Sequence, residues 1–203
     1  MSYSSDLTKE RILECAKEEF LCNGFSQANI REIAANAKVT TGALYNHFKN
    51  KEILFDALVG QVAKELHELY EAEHKKCASM TSYMDQSTQE IFTKAISEIL
   101  EYLYQHFAEV SLLFFHSVGT KYENFKDHLI DIEEKSTLAM LSREGIVLND
   151  CDKFFVHVIA SSGVNNTLEA IHHKLTKSEA IVYMERVQSF YYAGWVEILG
   201  RKS

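Results

Sequence analysis

Proline is absent from this 203-residue chain, and glycine occurs only 8 times. β-Sandwiches and barrels spend both residues on their turns, so the deficit turns the expectation strongly to an all-α fold. The four cysteines (15, 22, 77 and 151) form no CxxC pair, and Cys15 and Cys22 stand one heptad apart, too far for a disulfide within a helix. They are expected as reduced thiols packed as small hydrophobes. No N-terminal apolar run has the form of a signal peptide, and the apolar stretch at 110–115 is too short to cross a bilayer. A cytoplasmic protein with no membrane partner is expected. Nucleophile elbow, phosphate loop, Rossmann glycines and metalloprotease motif are all missing, so neither catalytic residues nor a cofactor are expected.

What is present is apolar mass: 46% of the residues, enough to bury a sizeable core. The net charge of −8 argues at first against nucleic acid. Its distribution reverses that reading. Residues 1–52 hold seven Lys/Arg against seven Asp/Glu, so the whole excess of acid lies in residues 53–203. A neutral head on an acidic body can touch DNA through the head, with weak nonspecific affinity because few phosphates are neutralised.

Apolar periodicity divides the chain into helices. Ile12, Leu13, Ala16 and Phe20 mark a first helix over 6–22, with Gly24 as its terminator. Asn29 followed by Glu32 is a capping-box variant opening a second helix, whose buried side is Ile30, Ile33 and Ala34. A third helix opens Val39-Thr40-Thr41-Gly42-Ala43 and closes Leu44-Tyr45-Asn46-His47-Phe48. Small and hydroxyl side chains come first and bulky anchors follow, which suits a helix whose N-terminal end enters a DNA major groove while its far side docks on a core. Asn50 caps a long helix over 51–76, with Glu52 in its first turn. Capping boxes at Ser87…Glu90, Thr120…Glu123 and Thr176…Glu179 help place helices at 87–107, 108–118, 120–144, 151–173 and 177–200, with the nearest thing to a linker at 76–86.

Nine histidines invite a metal reading. His67, Glu71 and His74 share one helical face with Cys77 nearby, but positions i and i+7 lie about 10 Å apart along the axis, too far for one ion. No metal site is expected, and the stripe reads as a solvated face. On the last helix Met184, Val187, Tyr191, Trp195 and Ile198 form an apolar stripe, and the preceding helix offers Phe155, Val158, Ile159, Ser162, Gly163 and Asn166. Small residues at 160–163 permit close helix approach. An ordinary intramolecular core explains this stripe as well as a subunit seam does.

Residues 7–55 resemble the DNA-binding domain of the tetracycline-repressor (TetR) family of bacterial transcription regulators. The resemblance rests on Ile12-Leu13, Ala16, Phe20, Gly24-Phe25, Ile30, Ile33-Ala34, Ala37, Val39, Gly42, Leu44-Tyr45, Phe48, Lys51-Glu52 and Leu54. It implies a three-helix, helix-turn-helix domain over 1–50 and a helical effector-binding and dimerisation domain over 51–203. It further implies a homodimer that binds a palindromic operator in double-stranded DNA, most often as a repressor, until a small-molecule effector enters the second domain. Carried over by position, Thr40, Thr41, Gly42, Ala43 and Asn46 face bases or adjacent phosphates, while Tyr45 and His47 take phosphates. Lys51, Arg31 and Asn29 meet the backbone.

Two positions depart from the family pattern. Thr41 stands where family members often carry Lys or Arg, and Lys38 where many carry glycine. A left-handed Lys38 costs about 1–2 kcal/mol, which a phosphate contact would offset. The leader Met1–Ser5 has no basic residue, so no minor-groove arm is expected.

For the body, the resemblance favours the seam: Phe155, Ile159, Ser162, Gly163, Asn166, Val187, Tyr191, Trp195 and Ile198 in a four-helix dimer interface. The effector is expected to be hydrophobic or aromatic, because the middle helices are rich in aromatic rings. Tyr102, His116, Tyr122 and His157 are the residues expected to touch it. The rival reading is a helical adaptor or structural protein whose helix-turn-helix meets protein, and operator binding separates the two.

Overall fold

The proline-free chain folds as helices joined by turns in the region that the computed structural model describes, residues 2–78 and 86–200. Among the described residues there are nine: α1 (Ser2–Gln27), α2 (Ile30–Asn36), α3 (Thr41–His47), α4 (Lys51–Ala78), α5 (Gln86–Gln105), α6 (Phe107–Phe115), α7 (Phe125–Arg143), α8 (Asp150–His172) and α9 (Lys177–Gly200). The fold is all-α, as expected from composition. Most of the linker expected at 76–86, and the side chains of Cys77 and Ser87, lie outside the described residues.

The chain forms two compact units. The first comprises Met1–Glu65 together with His106–Phe125, so it takes in α6 as well as the N-terminal helices. Its core is Ile12, Ala16, Phe20, Ile33, Leu44, Phe48, Leu54, Phe55, Leu112 and Leu113 with their neighbours. Phe55 stands edge-on to both Phe20 and Phe25, a favoured aromatic geometry. Gly24, at φ 68°, breaks helical geometry inside α1 where the terminator is expected. Just beyond it, the Phe25 N–H donates to the His116 carbonyl at 2.9 Å, and Ser26 Oγ donates to the Val118 carbonyl at 2.7 Å. These bonds join the last turn of α1 to the segment that follows α6.

Several helix boundaries depart from expectation: α1 begins at Ser2 rather than 6, α6 ends at Phe115 rather than 118, and the start of α7 shifts most. α7 begins at Phe125, not at 120. The Thr120 and Glu123 side chains are engaged, but in a turn: Thr120 Oγ1 accepts from the Tyr122 N–H at 3.0 Å, and Glu123 Oε2 accepts from Gly119 at 3.0 Å. Gly119 sits at φ 88° and supplies the reversal.

The second unit comprises Leu66–Gln105 and Lys126–Ser203. Leu141, Val156 and Trp195 centre one apolar cluster; Leu100, Ala170, Ala180 and Met184 centre another. The Thr176…Glu179 capping box forms as expected, with Thr176 N–H to Glu179 Oε2 at 2.8 Å and Glu179 N–H to Thr176 Oγ1 at 3.3 Å. A second box, Asn149 with Asp152, opens α8; it uses Asn and Asp in place of Ser/Thr and Glu. Gly145, at φ 74°, ends α7 with the Ile146 N–H reaching back to the Leu141 carbonyl.

Candidate nucleic-acid interface

The interface is built by caps. Asn29 Oδ1 accepts from the Arg31 N–H at 2.9 Å and starts α2. The Asn29 N–H donates to Glu19 Oε1 at 2.9 Å, so α1 supplies the reciprocal acceptor that sequence spacing assigns to Glu32. At the other end of α2, Lys38 takes φ 55°, its N–H meeting the Ala35 carbonyl and the Val39 N–H the Ala34 carbonyl. This is a left-handed helix stop of the kind that favours glycine. Arg11 Nε donates to the Ala37 carbonyl at 2.6 Å and ties the same stop to α1. Neither Glu19 nor Arg11 carries a sequence signal for these tasks, because both partners are brought in by packing.

Thr40 then caps α3, its Oγ1 accepting from the Ala43 N–H at 3.1 Å. Leu44 and Phe48 are buried and anchor α3 to the core. Thr40, Gly42, Tyr45 and Asn46 are exposed, with Thr41, Ala43 and His47 half-buried. Asn29, Arg31 and Lys38 are exposed on the neighbouring turns. A Cβ built on Gly42 would meet nothing in the protein closer than Thr40 Oγ1 at 3.9 Å. The fold therefore does not require glycine there.

Lys51 is placed differently from a free surface lysine. Its Nζ donates to the carbonyls of Ala28 at 2.9 Å and Ser26 at 3.2 Å, and lies 4.8 Å from the Phe25 ring centroid. Burial holds its pKa below the ordinary lysine value, with Glu19 opposing the shift. The residue stabilises the loop before α2 while standing at the start of α4, which Asn50 Oδ1 caps by accepting from the Ile53 N–H at 2.8 Å.

The residues expected at an effector site are dispersed. Tyr122 hydrogen-bonds Asp56 within the first unit and packs on its core, and Lys121 pairs with the same carboxylate at 2.8 Å. His116 ends α6 in that unit, and burial lowers its pKa. In the second unit, His157 lies at the surface with Nδ1 2.8 Å from Glu134 Oε2, and Tyr102 is half-buried on α5. None of the four lines the half-open cavity of the second unit.

That cavity, of about 150 Å³, lies among α5, α7, α8 and α9. Phe92, Ile96, Ile159, Met184, Tyr192 and Trp195 supply much of its apolar wall, and Glu133 also lines it. Five residues of the stripe assigned to a dimer seam border this half-open hollow. Ile159, Gly163, Val187, Tyr191 and Trp195 all line the cavity, and Trp195 is only 8% exposed. Asn166 is held by Tyr191 and Tyr183, and Ser162 is half-buried. Phe155 and Ile198 are exposed, as are Phe154, Val158, Val182 and Phe190 of the same two helices. Nor is the histidine face fully solvated: His67 and His74 are both half-buried, and His74 Nε2 lies 3.1 Å from Glu133 Oε2.

An all-helical protein whose first unit presents a short, capped helix with its anchors inward belongs to the helix-turn-helix class. Residues 12–58 match the family described as bacterial regulatory proteins, tetR family. It is a family of regulators and not of enzymes. YttP of Bacillus subtilis is 36% identical over 49% of this chain and 45% of its own length, so the match spans less than half of that relative. The transcriptional regulator QacR of Staphylococcus aureus is 25% identical over 92% of this chain and 97% of its own. The solved structure of FadR, a fatty acid degradation regulator from Bacillus halodurans, shares the fold with a TM-score of 0.58. It is 13% identical and covers 92% of this chain and 95% of its own.

Proposed function

We propose that the protein is a DNA-binding transcriptional regulator that represses as a homodimer on a palindromic operator and is released by a small molecule. The observation that carries this reading is the division of α3. Leu44 and Phe48 are buried anchors, while Thr40, Gly42, Tyr45 and Asn46 remain exposed although no packing need holds glycine at 42. In this reading Thr40, Thr41, Gly42, Ala43 and Asn46 meet base edges or adjacent phosphates. Tyr45, His47, Asn29, Arg31 and Lys38 meet the backbone. Lys51 acts mainly on the loop it holds and touches phosphate with what donor capacity remains.

A second copy of this chain covers the exposed apolar side chains of α8 and α9. Phe154 is 68% and Phe190 77% exposed, with Val158 and Val182 beside them in sequence order on the same helices. Large rings left in water at this density favour association. A two-fold dimer then sets two α3 helices on half-sites one helical turn apart, about 34–36 Å, as a palindrome requires. Such a protein works where the chromosome is, in the cytoplasm.

The test is selection of genomic fragments by the purified protein at low salt, followed by a salt titration. Enrichment of a palindromic site, with affinity falling steeply as salt rises, supports the reading. Recovery of no site would favour a helical adaptor that meets protein.

A further inference from the structure

We propose that Arg11 of α1 is a DNA phosphate contact, which α1 adds to the face formed by α2, α3 and the turn between them. The proposal rests on the DNA-binding reading above and extends it to a fourth element.

Place is the first argument. Arg11 Nε donates to the Ala37 carbonyl at 2.6 Å. Ala37 is the C-cap of α2 and is fully buried, and the exposed Lys38 follows it in the turn to α3. Two residues before Arg11, Lys9 Nζ stands 5.9 Å from the ring centroid of Phe48, the C-cap of α3. The start of α1 therefore borders α3 at both ends. Arg11 is itself exposed, a cation at the rim of the candidate interface.

Unused donors are the second argument. A guanidinium carries five N–H groups. The one on Nε holds Ala37, and among the described residues the four on the two Nη nitrogens meet no acceptor and no carboxylate pairs with Arg11. Lys17, further along the same helix, is already paired, its Nζ 3.5 Å from Glu109 Oε1. Pinning Nε to the turn restricts the Arg11 side chain before DNA arrives, so less freedom is lost on binding. The pin also limits reach. The Nη pair stays close to the turn, which suits the phosphates at the groove rim and not the base edges within it. Two parallel N–H groups on a planar fork match two phosphate oxygens. Residues 1–52 carry no net charge, so each cation that meets a phosphate supplies a large share of the electrostatic affinity.

The experiment uses the full-length protein and a labelled duplex of mixed sequence, because a phosphate contact needs no operator. Binding is titrated over a range of salt concentrations, and each variant is melted. Glutamine places Nε2 as many bonds from the backbone as arginine places Nε. Arg11→Gln thus keeps a donor for Ala37 while deleting the charge and the Nη pair. It should melt as the wild type does, bind roughly tenfold more weakly at about 50 mM salt, and show a salt slope shallower by about 0.9. Arg11→Lys keeps the charge without the inner donor, so it should melt lower and retain the slope. Lys17→Gln removes an equal charge from the same helix and should leave the slope unchanged. A wild-type slope in Arg11→Gln overturns the proposal and leaves Arg11 with the turn alone. An equal loss of slope in Lys17→Gln also overturns it, since net charge would then account for both. A wild type that binds no duplex at any salt ends the DNA-binding reading as well, which tells the two failures apart.

Discussion

The Lys51 ammonium donates to the Ala28 carbonyl at 2.9 Å, so the first residue of α4 holds the residue that precedes the α2 cap. A hydrogen bond from a charged donor contributes about 1.5–3 kcal/mol when buried. Solvent screening at this half-exposed site reduces that to about 1–2 kcal/mol for the pair of carbonyls. Lys51→Met is expected to lose that much stability in urea denaturation and to weaken operator binding as the loop loosens. Lost affinity with unchanged stability would assign Lys51 to DNA alone.

Lys38 occupies the left-handed region at φ 55°, where a side chain is strained and glycine is not. Lys38→Gly is expected to stabilise the fold by about 1 kcal/mol and to weaken operator binding at matched salt. Thermal melting and a gel-shift titration read the two effects. Unchanged affinity would remove Lys38 from the interface.

Gly42→Ala should leave the melting temperature unchanged or raise it, because the added Cβ meets only ordinary contact distance in the protein and alanine is the better helix former. Operator affinity should fall if α3 approaches DNA closely at this turn. Intact affinity would place Gly42 away from the duplex.

Asp56 gives a pH signature. Hydrogen bonds from Lys121 and Tyr122 hold its carboxyl below the ordinary aspartate range, against the opposing effect of burial. A carboxyl whose folded pKa is depressed contributes stability above its unfolded pKa and loses it as pH falls through the folded value. The difference in urea midpoint between wild type and Asp56→Asn should therefore be constant near neutrality and shrink below about pH 4. A difference that persists unchanged at lower pH would show that the ionised form is not what stabilises.

Much of the first unit was legible in sequence because its signals are local. Gly24, Asn29 and Asn50 each act within three residues of their own position, and the structure uses all three as breaks or caps, while Thr40, read only as a DNA-facing residue, also caps α3. Glu19 and Arg11 were not legible, since the groups they satisfy lie 10 and 26 residues away. The Thr120…Glu123 pair shows the limit of a local motif: its side chains bond as turn residues do, and helix begins only at Phe125. The body was less legible still. Helical spacing identifies Val187, Tyr191 and Trp195 as one apolar stripe but cannot say which neighbour the stripe faces. The fold turns it toward α5 and the cavity. Aromatic abundance likewise pointed to Tyr122 and His116, whose places are fixed by α4 and the last turn of α1.

The exposed rings of α8 and α9 make association testable by one charge. Phe190→Asp, at a side chain 77% exposed, should leave the monomer folded and move sedimentation from dimer to monomer. Operator affinity should collapse with it. A variant that remains dimeric would place the subunit contact elsewhere.

The most direct test of α3 as the reading helix is selection from a random duplex pool by the wild-type protein and by Asn46→Ala. The wild type should enrich a palindrome, and the variant should enrich the same half-site spacing with altered preference at a few positions in each half. Tyr45→Phe, run alongside, should weaken binding evenly across sequences. Enrichment of no sequence by the wild type, or an identical preference in Asn46→Ala, would contradict the assignment of α3 to the major groove.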